Sequence, residues 1–234
     1  TNIKYPLADF EITPDIAILD TNIPMTMPEV IAADTGMDAL THSIEAYVAG
    51  LRTDITDALA MKAIDMIVHN VEKAVKGDKE GRGKMHVAQC LAGMSFSNAL
   101  LGIVHSLAHK TGAEFHITHG RCNAILLPFV IQYNSKVCAD RFADIARMLK
   151  LSGNTNEELT ASLVKKVKEL NASLGIKQTY KENGVTEEHF KAKCDDISKN
   201  AVADPCTGSN PRQTDFENMK KVLEAAYYGY DINF

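Results

Sequence analysis

Residues 87–108 read Val87-Ala88-Gln89-Cys90-Leu91-Ala92-Gly93-Met94-Ser95-Phe96-Ser97-Asn98-Ala99-Leu100-Leu101-Gly102-Ile103-Val104-His105-Ser106-Leu107-Ala108. Length and apolar content suit a membrane span of ~20 residues. The contents argue against one, because Gln89, Ser95, Ser97, Asn98, His105 and Ser106 bring more polar groups than spanning segments hold. The stretch is therefore read as a buried central helix starting near Met85, with Gly102 as a break or close-packing point.

Working outward, the helical pattern continues on both sides. Thr53 is a candidate N-cap for a helix whose apolar residues Leu59, Ala63, Ile67, Val71 and Val75 recur every four positions, with Gly77 just past its end. Asp78–Lys84 reads as a charged loop. Nearer the N-terminus, Pro28 suits a first helical turn, Gly36 interrupts, and a new helix runs from about Thr35 to Gly50. Downstream, amphipathic segments cover 123–133, 139–149, 157–174, 187–199 and 215–227. The first 20 residues differ. Ile3, Tyr5 and Leu7 alternate around Pro6 as an edge strand, and Ile16–Leu19 is a short apolar run suited to a buried strand. The expected fold is mainly α, a helical bundle (28–234) preceded by the end of an α/β nucleotide-binding sheet (1–27).

Composition narrows the function classes. The chain has 234 residues, 45% of them hydrophobic, which excludes intrinsic disorder. A net charge of −5 without a basic tract predicts neither nucleic acid nor anionic membrane as main partner. Five scattered cysteines with no Cys-x-x-Cys pair argue against a zinc ribbon or disulfide framework and predict a reducing, cytoplasmic setting.

The histidines carry the chemistry. Four of the eight, His105, His109, His116 and His119, fall within residues 105–119. Asp38 and His42 stand four apart on one predicted helix, and His105 and His109 repeat that spacing on another, so each pair leaves one face. Gly112 is expected to release the chain before His119. Carboxylate and imidazole donors suit Fe(II) or Zn(II). Either pair alone reads as a surface ion pair or a hydrogen-bonded core histidine, but together they point to a metal. His69, His86 and His189 sit among polar neighbours and read as surface residues. No Walker A sequence, His-Glu-x-x-His or Gly-x-Ser-x-Gly occurs.

Two segments, Asp34-Thr35-Gly36-Met37-Asp38-Ala39-Leu40-Thr41-His42-Ser43-Ile44-Glu45-Ala46-Tyr47 and Gly102-Ile103-Val104-His105-Ser106-Leu107-Ala108-His109 through His119-Gly120, resemble signatures of the iron-dependent (group III) alcohol dehydrogenases. Lys4-Tyr5-Pro6-Leu7-Ala8-Asp9 and Cys206-Thr207-Gly208-Ser209-Asn210-Pro211-Arg212 look most like the alcohol dehydrogenase half of bifunctional aldehyde–alcohol dehydrogenases. The resemblance implies Asp38, His42, His105 and His119 as ligands of Fe2+, with Zn2+ as the other option. It implies His109 as a proton relay or cofactor contact, Lys4 as a dinucleotide contact, and Phe96 and Cys206 as walls of the substrate pocket. It further implies NAD(H)-linked interconversion of a short primary alcohol and its aldehyde (ethanol and acetaldehyde), a homo-oligomer, and a separate N-terminal α/β cofactor domain. Phe96 and His105 are nine residues apart, about half a turn out of phase at ~3.6 residues per turn, so both reach one pocket only if the helix breaks between them. Two other readings are a zinc-dependent, glycerol-dehydrogenase-like polyol oxidoreductase and a helical His/Asp metal-dependent hydrolase.

Overall fold

The computed structural model describes residues 9–234, and the Ile3/Tyr5/Leu7 strand and Lys4 lie outside them. Eight α-helices build the described part: α1 Glu29–Val48, α2 Asp54–Val75, α3 Lys79–Ala99, α4 Ile103–Phe115, α5 His119–Met148, α6 Asn156–Ser173, α7 Glu187–Val202 and α8 Phe216–Tyr228. The expected strand at 16–19 does not form. Ile16 and Ile18 are 80% and 86% exposed, and no described segment pairs with them, so the ladder hydrogen bonds of a strand have no partner.

Capping residues explain most boundaries. Thr53 accepts the Thr56 amide, and the Thr56 hydroxyl accepts the Thr53 amide in return. Thr155, Thr186 and Asp215 cap α6, α7 and α8 by the same acceptor chemistry. Gly77 and Gly229 close α2 and α8 at φ +85° and +87°. The supposed charged loop after Gly77 is helical from Lys79, because the Asp78 carboxylate accepts the Gly81 amide at 2.7 Å and caps α3. Likewise α1 runs unbroken through Gly36. A Cβ there would lie 2.7 Å from Val71 Cγ2 and 3.3 Å from Met85 Cε, so this glycine lets α1 approach α2 and α3 closely.

Helix α1 lies at the centre, packed on α2, α3 and α5, and α4 packs on α5 and α7. From Ala33 to Val48 the helix is buried almost all round, which places anything it carries inside the domain. The two helices expected at 123–133 and 139–149 are present as the two halves of α5, which leaves helical geometry between them at Cys138 (φ −143°, ψ 39°).

The 87–108 stretch is two helices, not one. The chain leaves α3 through Leu100 (φ 65°), re-enters helix after Gly102, and turns by 109°. No single described helix is long and apolar enough to cross a membrane; α3 and α4 pass that test only together. Only the second half is the buried helix expected. Residues 103–109 are all buried, whereas Met94 on α3 is half-exposed.

Two glycines test this packing in opposite directions. Gly36→Ala is expected to destabilise by about 1–3 kcal/mol through overpacking. Gly93→Ala, with open space around its Cβ, is expected to be neutral or stabilising by about 0.5–1 kcal/mol. Urea unfolding of both variants checks the contrast.

Candidate metal centre

The helix spacing delivers its residues to one point. Asp38 and His42 lie one turn apart on α1, His105 and His109 one turn apart on α4, and His119 opens α5. Asp38 Oδ1 lies 3.9 Å from His42 Nε2, 3.7 Å from His105 Nε2 and 3.7 Å from His119 Nε2. Donor atoms of Asp38, His42 and His105 lie within 4.8 Å of one another, and His119 Nε2 adds a third imidazole 3.7 Å from Asp38 Oδ1, so the donor chemistry, one carboxylate oxygen and three imidazole nitrogens, suits a divalent transition metal. A buried orphan supports the fit. The Asn123 amide nitrogen stands 2.5 Å from Asp38 Oδ1 and 3.1 and 3.2 Å from the Nε2 atoms of His105 and His119, while its buried Oδ1 has no partner among the described residues. One amide nitrogen thus meets three polar atoms of the cluster at once.

Glu45 orients His105. Its Oε2 lies 2.6 Å from His105 Nδ1, and its Oε1 accepts the Val104 amide at 2.8 Å. A carboxylate on Nδ1–H leaves Nε2 for the donor set, as carboxylates do behind many metal-bound histidines. The same side chain crowds Gly102. A Cβ there would lie 2.8 Å from Glu45 Oε1 and 2.8 Å from Asn210 Oδ1, the atom that accepts the Ile103 amide. Helix α4 thus starts on two remote side chains.

Close approach of α1 and α5 sets the other half. A Cβ on Gly120 would collide with the Asp34 backbone and lie 3.2 Å from Asp38 Cβ. Asp34 locks this contact by accepting the Thr118 hydroxyl at 2.5 Å and the Arg121 guanidinium at 3.0 Å.

The centre is charged as well as buried. Burial works to raise the Asp38 carboxyl, but the His105, His42 and His119 imidazoles overcome it and hold the group below the ordinary carboxylate range. Burial works to lower His105, yet Asp38 and Glu45 flank it and raise it to about 9.

Phe96 does reach the centre, its ring stacked on His42 at 4.3 Å. The α3–α4 turn resolves the half-turn mismatch, since Phe96 and His105 sit on different helices. His109 stacks on His119 at 5.3 Å, and its Nδ1 lies 3.1 Å from Asp204 Oδ2. The polar side-chain atoms of His109, Asp204 and Cys206 lie within 4.8 Å of one another, placing Cys206 beside His109. Helix α4 continues past Gly112 to Phe115, and His116 ends it in the left-handed conformation (φ 54°) rather than joining the site. His189 pairs with Glu114, away from the cluster.

Sequence reading missed Glu45, Asn123, Asp34 and Asp204. Glu45 had a signal, since Asp38, His42 and Glu45 stand at i, i+4 and i+7 on one face. Asn123 is likewise one turn beyond His119. Asp204 had none, because only the fold brings its loop to α4.

Residues 32–227 match the Fe-containing alcohol dehydrogenase family, C-terminal. The chain is 59% identical over its whole length to an NADPH-dependent butanol dehydrogenase of Clostridium saccharobutylicum, spanning 60% of that protein. It is 45% identical over 98% of its length to an aldehyde-alcohol dehydrogenase of Streptococcus pneumoniae, spanning 28% of it. The iron-containing alcohol dehydrogenase structure from Thermococcus thioreducens superposes with a TM-score of 0.87 at 36% identity, over 95% of this chain and 57% of that one. This chain belongs to the iron-containing alcohol dehydrogenase family, as a stretch of its C-terminal helical region. It spans well under two thirds of these relatives' length.

The raised His105 value has a sign that can be read directly. It favours the metal-free fold fully below about pH 6.5, the ordinary histidine value, and that contribution is lost as pH rises through about 9. Urea unfolding in chelator should therefore show lower stability at pH 9 than at pH 6.5. His105→Asn should flatten the difference; an unchanged slope in that variant would contradict the assignment.

Proposed function

We propose that this chain forms the metal-binding catalytic half of an alcohol dehydrogenase that interconverts a short primary alcohol and its aldehyde with a nicotinamide dinucleotide. The observation that carries the reading is the set of three imidazole nitrogens around Asp38 Oδ1, with His109 stacked on one of them.

Asp38, His42, His105 and His119 would hold the ion, Fe2+ or Zn2+. When bound, it supplies Lewis acidity at the substrate oxygen. The four residues fix where that oxygen sits. Phe96 and Cys206 flank the space and favour a small apolar chain on the substrate. His109 moves the hydroxyl proton at Nε2, since Asp204 occupies Nδ1. Hydride chemistry belongs to the dinucleotide, which we assign to an N-terminal cofactor domain ending near residue 27.

The butanol dehydrogenase relative extends the expected substrates beyond ethanol to C2–C4 alcohols. Family membership and the four-donor set favour this reading over the hydrolase and over a glycerol-dehydrogenase-like zinc site with fewer ligands. The odd number and wide spacing of the five cysteines support a reducing, cytoplasmic setting.

Elemental analysis of anaerobically purified protein tests the ligand assignment. The wild type should carry about one metal per chain, and Asp38→Ala or His105→Ala should lose it, because changing even the hydrogen-bond partner behind a ligand typically costs ~10–100-fold in metal affinity. His109→Ala should keep its metal. Equal metal loss in His109→Ala would make that residue a ligand and overturn the assignment.

A further inference from the structure

Asp204 stands outside the donor set, yet its side chain is wholly buried and three donors converge on it. Oδ2 lies 3.1 Å from His109 Nδ1 and 2.8 Å from the Lys110 ammonium. Oδ1 accepts the Cys206 amide at 3.1 Å, which makes Asp204 the cap of the 3-10 turn Pro205–Ser209. That turn is pinned to the start of α4. The Thr207 hydroxyl donates to Ser106 Oγ at 2.8 Å, and the Ser209 hydroxyl donates to the Leu101 carbonyl at 2.5 Å.

His109, Asp204 and Cys206 also have the composition of a second cation site. The structure argues against that use. Lys110 already places a positive charge on the same carboxylate oxygen. Burial, with the Asp204 charge beside it, pushes the Cys206 thiol far up, so it stays protonated and offers no thiolate. What remains is an ionised carboxylate facing an imidazole. Burial works to raise Asp204, but the hydrogen bonds from His109, Lys110 and the Cys206 amide hold it below the ordinary carboxylate range.

An ionised carboxylate can only accept hydrogen bonds. Opposite His109 Nδ1 it selects the tautomer with the proton on Nδ1 and leaves the Nε2 lone pair to exchange a proton. We propose that Asp204 is a positioning residue that sets the His109 tautomer and, through its other oxygen, fixes the turn carrying Cys206 relative to that histidine. One side chain thereby couples the proton-moving group to a wall of the substrate space. The tautomer stands on geometry alone; its consequence for turnover rests on the functional reading of His109 given above.

Two-bond 1H–15N NMR correlations of the 15N-histidine-labelled chain in chelator read the tautomer without any reaction. The wild type should show His109 protonated on Nδ1, assigned by the signal lost in His109→Gln. A wild-type His109 protonated on Nε2 overturns the proposal with no variant needed. In Asp204→Asn the amide oxygen keeps the Cys206 contact while the amide nitrogen faces Nδ1, so the proton should move to Nε2. An unchanged tautomer in that variant overturns the proposal. Lys110→Met removes the ion pair and keeps the imidazole contact, so it should retain the Nδ1–H form; inversion there assigns control to Lys110 and overturns the proposal. In the metal-loaded, full-length enzyme, Asp204→Asn should lower kcat by about 10²-fold or more, the scale of general acid–base catalysis, with metal content unchanged. An inverted tautomer with unchanged kcat leaves the positioning role intact and refutes the relay role of His109 instead.

Discussion

One carboxylate on the central helix governs how the rest of the domain meets. Glu45 accepts the Val104 amide through one oxygen and engages His105 Nδ1 through the other, so the same group begins α4 and aims its first imidazole. Glu45 and Asn210 crowd the chain at Gly102, so a side chain there would have to displace one of them. The 109° turn between α3 and α4 lies at this contact, with Leu100 at φ 65° just before it. It brings Phe96 on one helix and His105 on the next to opposite sides of His42. Replacing the carboxylate would cost a helix cap and an imidazole partner together, each worth ~1–3 kcal/mol when lost from a buried setting.

A second constraint acts where α1 meets the start of α5. Gly120 removes the side chain that would keep the helices apart, and Asp34 ties Thr118 and Arg121 across the contact. His119 is thereby held against Asp38 although 81 positions separate them in sequence. The cluster places charge where water is scarce, which is unfavourable unless each group is paired. A cation held as we propose would satisfy the carboxylate and the three imidazole nitrogens at once, and its binding energy would become folding energy.

Much of this was legible in the sequence and some of it could not be. Helices with local signals, such as Thr53 before α2, Gly77 after it and Asp215 before α8, could be placed from the chain alone. The residues proposed as ligands were marked by the two signature segments, and Asp38 and His42 also by their i, i+4 spacing. Gly36 was misleading, because its role depends on Val71 and Met85 from other helices. The 78–84 segment was misread as loop, since charge density outweighed a single capping aspartate. The crowding at Gly102 and the presence of Asp204 beside His109 depend on partners 57 and 95 residues away in sequence. Local patterns hold no record of such contacts. The Ile16–Leu19 run was apolar enough for a strand, but pattern cannot supply the neighbouring strand that a sheet requires.

The central claim is that α1, α4 and α5 together make one four-donor metal centre. X-ray absorption spectroscopy of the Fe(II)-loaded chain tests it most directly. The account predicts a shell of oxygen and nitrogen donors at ~2.0–2.2 Å, with outer-shell scattering that counts three imidazoles. His42→Ala should remove one of the three. A loaded wild type showing two or fewer imidazoles, or an unchanged count in His42→Ala, would contradict it.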